Sequence, residues 1–127
     1  MKKIILSSVL ATAAVASLNT ANAATTAQVF CSGTAGAGAA ATVSTDQFVR
    51  VQFTAKCSSN TYVQGSDSTT FYRVGAVSSK GKSMFAGSTS GGGVMPATAS
   101  GVAVNCQTPT ACTASDAGSA ITYGVTG

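Results

Sequence analysis

The stretch QFVRVQFTAKC, Gln47–Cys57, decides how the chain is read. Val49, Val51, Phe53, Ala55 and Cys57 fall on one side of an extended backbone. Phe48, Arg50, Gln52, Thr54 and Lys56 fall on the other. Alternation at period two is the pattern of a β-strand with one buried and one wetter face. Cys57 is in phase with the apolar side, so its sulfur is expected in the core. Phe48 lies on the opposite side, which makes it a candidate contact for a partner.

Upstream, Ala27, Val29 and Cys31 share the same phase in a short strand over Thr25–Ser32. Cys31 and Cys57 are thus both expected to face inward. Cys106 and Cys112 flank QTPTA and would close a short loop. Four cysteines allow three connectivities; the phase argument favours Cys31–Cys57 and Cys106–Cys112. A zinc site is disfavoured, because there is no C-x-x-C pair and no histidine.

The N-terminus reads as an export address. Lys2 and Lys3 precede an apolar run over Ile4–Ser17, and Ala21-Asn22-Ala23 is an A-x-A cleavage site. Residues 1–23 are therefore expected to be a secretory signal peptide and 24–127 a single domain. No later run is long or apolar enough to span a bilayer as a helix. An exported chain meets an oxidising compartment, in which paired cysteines persist.

Further along, Gly33–Ala41 reads as a small-residue loop. Thr61–Gln64 reads as a short strand and Gly65–Ser68 as a turn. Thr69–Val77 and Ser83–Gly87 read as a hairpin about the Ser78–Lys82 turn. Gly75 within it signals a bulge or a close backbone approach. Gly101–Cys106 alternates again. Ser115–Ser119 reads as a turn before a last strand through Ile121, Tyr123 and Val125. About six or seven short strands with turns between them make an all-β sandwich or barrel pattern, antiparallel and disulfide-stabilised.

The chemistry-bearing residues are few. The chain has no His, no Glu and no Trp, and its acids are Asp46, Asp67 and Asp116. Removing the signal leaves Arg50, Lys56, Arg73, Lys80 and Lys82, a net charge of +2. These are too scattered for a phosphate-binding surface, so nucleic acid is not expected as a partner. Ala76–Ser83 fits a relaxed phosphate-binding loop, and Ser79 with Lys82 has S-x-x-K spacing. Both motifs need a helix that a turn between strands does not provide. Gly87–Gly91 (GSTSG) has Thr89 where a nucleophile elbow has serine. Without histidine no Ser-His-Asp or Cys-His machinery can form, and the three aspartates sit where local backbone bonding favours them. The expectation is a non-enzyme with no catalytic residues, no metal site and no cofactor. Tyr62, Phe71, Tyr72, Phe85 and Tyr123 could line a ligand groove, but in a small β domain such aromatics are more often core and edge packing.

Cys31, Cys57, the alternating Val49–Phe53 strand and the Ala/Thr/Ser/Gly-rich composition together resemble bacterial fimbrial subunits of the chaperone–usher type. The resemblance implies an immunoglobulin-like or pilin-like sandwich. It also implies self-assembly or assembly with other fimbrial subunits, handling by a periplasmic chaperone, and β-strand addition as the binding mode. The expected function is an exported structural subunit of a surface fimbria or similar appendage, reached through the periplasm, in adhesion or biofilm formation. The alternative is a monomeric periplasmic or secreted module that binds a carbohydrate or protein.

Overall fold

The computed structural model describes residues 26–91, 93–106 and 111–123. The expected signal peptide and its cleavage site lie outside them.

The fold is a small, antiparallel, disulfide-stabilised β structure with one short helix. Strands β1 (Thr26–Ser32), β4 (Thr61–Asp67), β5 (Tyr72–Ser78), β6 (Met84–Ser88) and β7 (Met95–Pro96) form a sheet in the order β1-β4-β5-β6-β7. Two further pairs, β2 (Gly36–Ala40) with β3 (Thr54–Cys57) and β8 (Thr98–Ala99) with β9 (Val102–Ala103), are smaller. Helix α1 spans Ala114–Tyr123.

The β5–β6 hairpin forms about the expected Ser78–Lys82 turn. Pro96, which lacks an N–H, sits on β7 at the sheet's edge opposite Phe85, where a missing donor is tolerated. Ser100 and Gly101 both have positive φ, 51° and 81°, between the paired residues Ala99 and Val102. A two-residue loop with both central residues left-handed is a type I′ turn.

Each face of the large sheet carries its own small core. On one face Tyr62, Val77 and Met84 meet α1 through Ala117 and Ala120, with Ala97, Cys106 and Cys112 completing the cluster. On the other, Phe30, Cys31 and Ala41 pack with Ala55, Cys57, Val63 and Tyr72. The disulfides Cys31–Cys57 and Cys106–Cys112 thus fall one to each core. The first ties β1 to β3, and so fastens the β2–β3 pair to the large sheet.

Gly75 is where sheet and helix meet most closely. A Cβ there would collide with the carbonyl oxygen of Ala117 and lie 3.0 Å from Ile121 and 3.1 Å from Ala120. The close approach expected at Gly75 is therefore real, and its cause is the helix. Beside it, Gln64 Nε2 donates to the Ala114 carbonyl at 2.7 Å, tethering β4 to the first helical turn.

Several expectations are corrected. Ile121 and Tyr123, expected in a final strand, are the end of α1, and Val125 lies outside the described residues. The start of α1 carries the side-chain half of a capping box: the Thr113 N–H and hydroxyl donate to the Asp116 carboxylate at 2.7 and 2.8 Å. The turn assigned to Ser115–Ser119 is thus the body of that helix. Gly33–Ala41 contains strand β2. The turn at Gly65–Ser68 is largely strand, since β4 runs on to Asp67. The alternation of Gly101–Cys106 yields only two strand residues, and Val102 is largely exposed. In β1 the register shifts between Val29 and Cys31, so adjacent Phe30 and Cys31 are both buried while Val29 is exposed. A bulge has put an extra residue inward and broken the expected phase.

Candidate binding surfaces

The segment Gln47–Cys57 is a strand only from Thr54. Residues 47–53 lie outside any strand, and at Phe48 and Val49 a carboxylate takes the backbone N–H groups. Asp67, at the end of β4, is 4 % exposed. Its Oδ1 accepts the Phe48 N–H at 2.8 Å and its Oδ2 accepts the Val49 N–H at 3.0 Å. The Phe48 N–H also lies 3.0 Å from the Ser68 carbonyl. Further on, the Ala41 N–H donates to the Phe53 carbonyl at 2.8 Å, closing the loop at its base.

The outcome is an irregular segment, held at both ends, that displays apolar side chains. Phe48 is 43 % exposed, Val51 78 % and Phe53 44 %. The expected burial of Val51 is therefore wrong, and Phe53 is only partly covered, stacking on Phe30 with ring centroids 5.5 Å apart. Phe48 is exposed as expected, but on a pinned loop instead of on the outer face of a strand.

Tyr72 stands opposite Asp67 in the β4–β5 ladder. Burial raises its phenol from the ordinary 10.0 to about 12, and the nearby Asp67 carboxylate adds to the rise. The hydroxyl packs against the backbone of Gly65, a position at which any side chain would meet the Tyr72 and Phe30 rings.

A second surface lies at the β5–β6 turn. A groove of about 380 Å³ is lined by Thr61, Ala76, Ser78, Lys82, Ser83 and Phe85. Phe85 is 41 % exposed and sits between Ala76 on β5 and Pro96 on β7. The rim is fixed from beneath by the second disulfide: the Cys106 N–H donates to the Lys82 carbonyl at 2.8 Å. The Cys112 sulfur lies 3.3 Å from the Gly81 carbonyl, a contact only, since a disulfide sulfur has no proton to give. The relaxed phosphate-loop and S-x-x-K motifs both fall on this turn. The Ser79 hydroxyl donates to Asn60 Oδ1 at 3.3 Å, while Lys82 lines the groove. The two motif residues are not brought together as a nucleophile and base.

Sequence reasoning found Phe48 and Lys82 as residues of interest but missed what organises them. Asp67 was legible only as a turn aspartate, because its two backbone partners are about twenty residues away. Among the described residues no three His, Cys, Asp or Glu side chains cluster to hold a metal ion, and no helix is long and apolar enough to cross a membrane. No known protein family, curated protein or solved structure matches the chain.

Proposed function

We propose that the chain is an exported structural subunit of a bacterial surface fimbria or similar appendage, acting in adhesion or biofilm formation through protein–protein assembly. The observation that carries this reading is the pinned loop. A buried carboxylate holds the backbone of Phe48 and Val49, and the loop it anchors exposes Phe48, Val51 and Phe53. Exposed apolar clusters mark contact surfaces. One that is ordered before contact loses less conformational entropy on binding. The two disulfides suit an oxidising compartment and a small core.

The test is to look for surface filaments that contain this chain, and for ladders of it on unboiled denaturing gels. Phe48→Ser with Val51→Ser is expected to leave a folded, exported monomer and to abolish the ladder. A wild-type protein that stays monomeric, with no surface polymer lost on deletion of its gene, overturns the proposal. The second reading, a monomeric exported binding module, is favoured by the groove beside Lys82.

A further inference from the structure

We propose that the groove at the β5–β6 turn binds a carboxylate-bearing sugar, with Phe85 as its platform and Lys82 as its anion contact. The proposal deepens the binding-module reading but rests on the groove alone, and it holds whether or not the chain assembles.

Size comes first. About 380 Å³ lies at the lower end of the range of small-molecule sites, and suits one or two sugar rings. The chemistry of the lining is divided in the way such a ligand needs. The apolar part of the lining comes from Phe85, 41 % exposed, and its ladder partner Ala76. A pyranose presents a C–H face that can lie on such a ring while its hydroxyls point outward. Those hydroxyls meet Thr61, Ser78 and Ser83, each of which can donate and accept.

Charge then chooses among sugars. Lys82 is the one charged side chain lining the groove among the described residues, and no carboxylate lines it. Lys80 stands two residues away on the same turn. The local potential is positive and unopposed, so an anionic ligand is favoured over its neutral analogue. Lys82 is also held in place by its backbone: its carbonyl accepts from Cys106 N–H, and the next residue, Ser83, bridges to Asn105. The turn that carries the cation is therefore anchored to the disulfide loop, and little ordering remains to be done on binding.

The experiment is an NMR titration of the folded chain with glucuronate, with glucose as the uncharged control and a short oligoglutamate peptide as the competing anion. Glucuronate is expected to give saturable shifts at the amides of Thr61, Ser83 and Phe85, and glucose to bind up to about fivefold more weakly, the scale of one solvent-exposed ion pair. Lys82→Met is expected to reduce glucuronate affinity by the same factor and to abolish the preference over glucose. Phe85→Ala is expected to remove binding of both sugars, whereas Lys56→Met, an equal charge change away from the groove, leaves it intact. Absence of saturable shifts overturns the proposal, as does equal binding of glucose or indifference to Lys82→Met. If oligoglutamate displaces glucuronate and binds more tightly, the groove is a peptide site and the saccharide assignment falls.

Discussion

Asp67 shows how one buried side chain can set the conformation of residues far away in sequence. Its carboxylate accepts two backbone N–H groups, and hydrogen bonds to a charged acceptor are worth about 1.5–3 kcal/mol each. Asp67→Ala is expected to destabilise the fold by about 3 kcal/mol in denaturant unfolding, with Asp67→Asn nearer half of that because one acceptor oxygen remains. Hydrogen exchange should distinguish the two amides. Val49 depends on the carboxylate, while Phe48 also has the Ser68 carbonyl within 3.0 Å. The Val49 amide is therefore expected to lose more protection, and unchanged protection at both positions would contradict the pinning. Tyr72 gives a second test at this scale. Its folded pKa of about 12 lies above the ordinary 10.0. Below pH 10 both folded and unfolded chains keep the proton, and its contribution to stability is fully present. As pH rises from 10 to 12 the unfolded chain gives up the proton first, so that contribution is lost. Phenolate absorbance should show a tyrosine ionising at about 12. Tyr72→Phe is expected to flatten the fall of stability between pH 10 and 12. Asp67→Asn should bring the Tyr72 pKa down only part of the way, because burial is the larger cause.

At the scale of elements, what could be read from the sequence depended on how local each signal was. The β5–β6 hairpin was legible because its turn, strand residues and Gly75 all lie within one window. Helix α1 was not. Ile121, Tyr123 and Val125 satisfy a period of two, and the helical face is carried by Ala117 and Ala120, which are too small to dominate a pattern. The overlooked signal was Thr113-Ala114-Ser115-Asp116, an S/T-x-x-D/E start ahead of those alanines. Strand β2 was hidden for a similar reason, since GAGAA has no side chain large enough to show a face. The loss of strand ahead of Thr54 was not legible at all, because the carboxylate that holds Phe48 and Val49 comes from Asp67 on another element. The capping box makes a direct prediction. Asp116→Ala removes the acceptor for both Thr113 donors and is expected to cost about 1 kcal/mol, the usual scale for a lost cap. Circular dichroism should record a loss of helical signal, and the slowed exchange of amides in β4 and β5 should weaken with it, since α1 covers Gln64 and Gly75.

For the whole molecule, the question is how two thin cores built largely of Ala and Cys remain folded. The fully buried positions are mostly small: Ala97, Ala117 and Ala120 on the helical side, Cys31 and Ala41 on the other. Small side chains remove little apolar surface from water, so cross-links carry a larger share of stability than in a chain of this length with a leucine-rich core. The disulfides differ in what they close. Cys31–Cys57 has a sequence separation of 26 and Cys106–Cys112 one of 6. Chain entropy alone assigns about 3.5 kcal/mol to the longer loop and about 2.2 kcal/mol to the shorter. Their places in the fold widen that difference. The first is the covalent tie between the large sheet and the β2–β3 pair, whereas the second braces a turn already held by backbone bonds from Ala97 to Met84 and from Cys106 to Lys82. Cys57→Ser is accordingly expected to lower the melting temperature more than Cys112→Ser. It should also release the Phe48 loop, seen as faster exchange at Ala41 and Val49, while Cys112→Ser should leave that loop protected and loosen the amides of Lys82 and Ser83. Equal melting shifts, or loosening of the same amides by both variants, would mean that the two faces share one cooperative core and that the disulfides do not stabilise them separately.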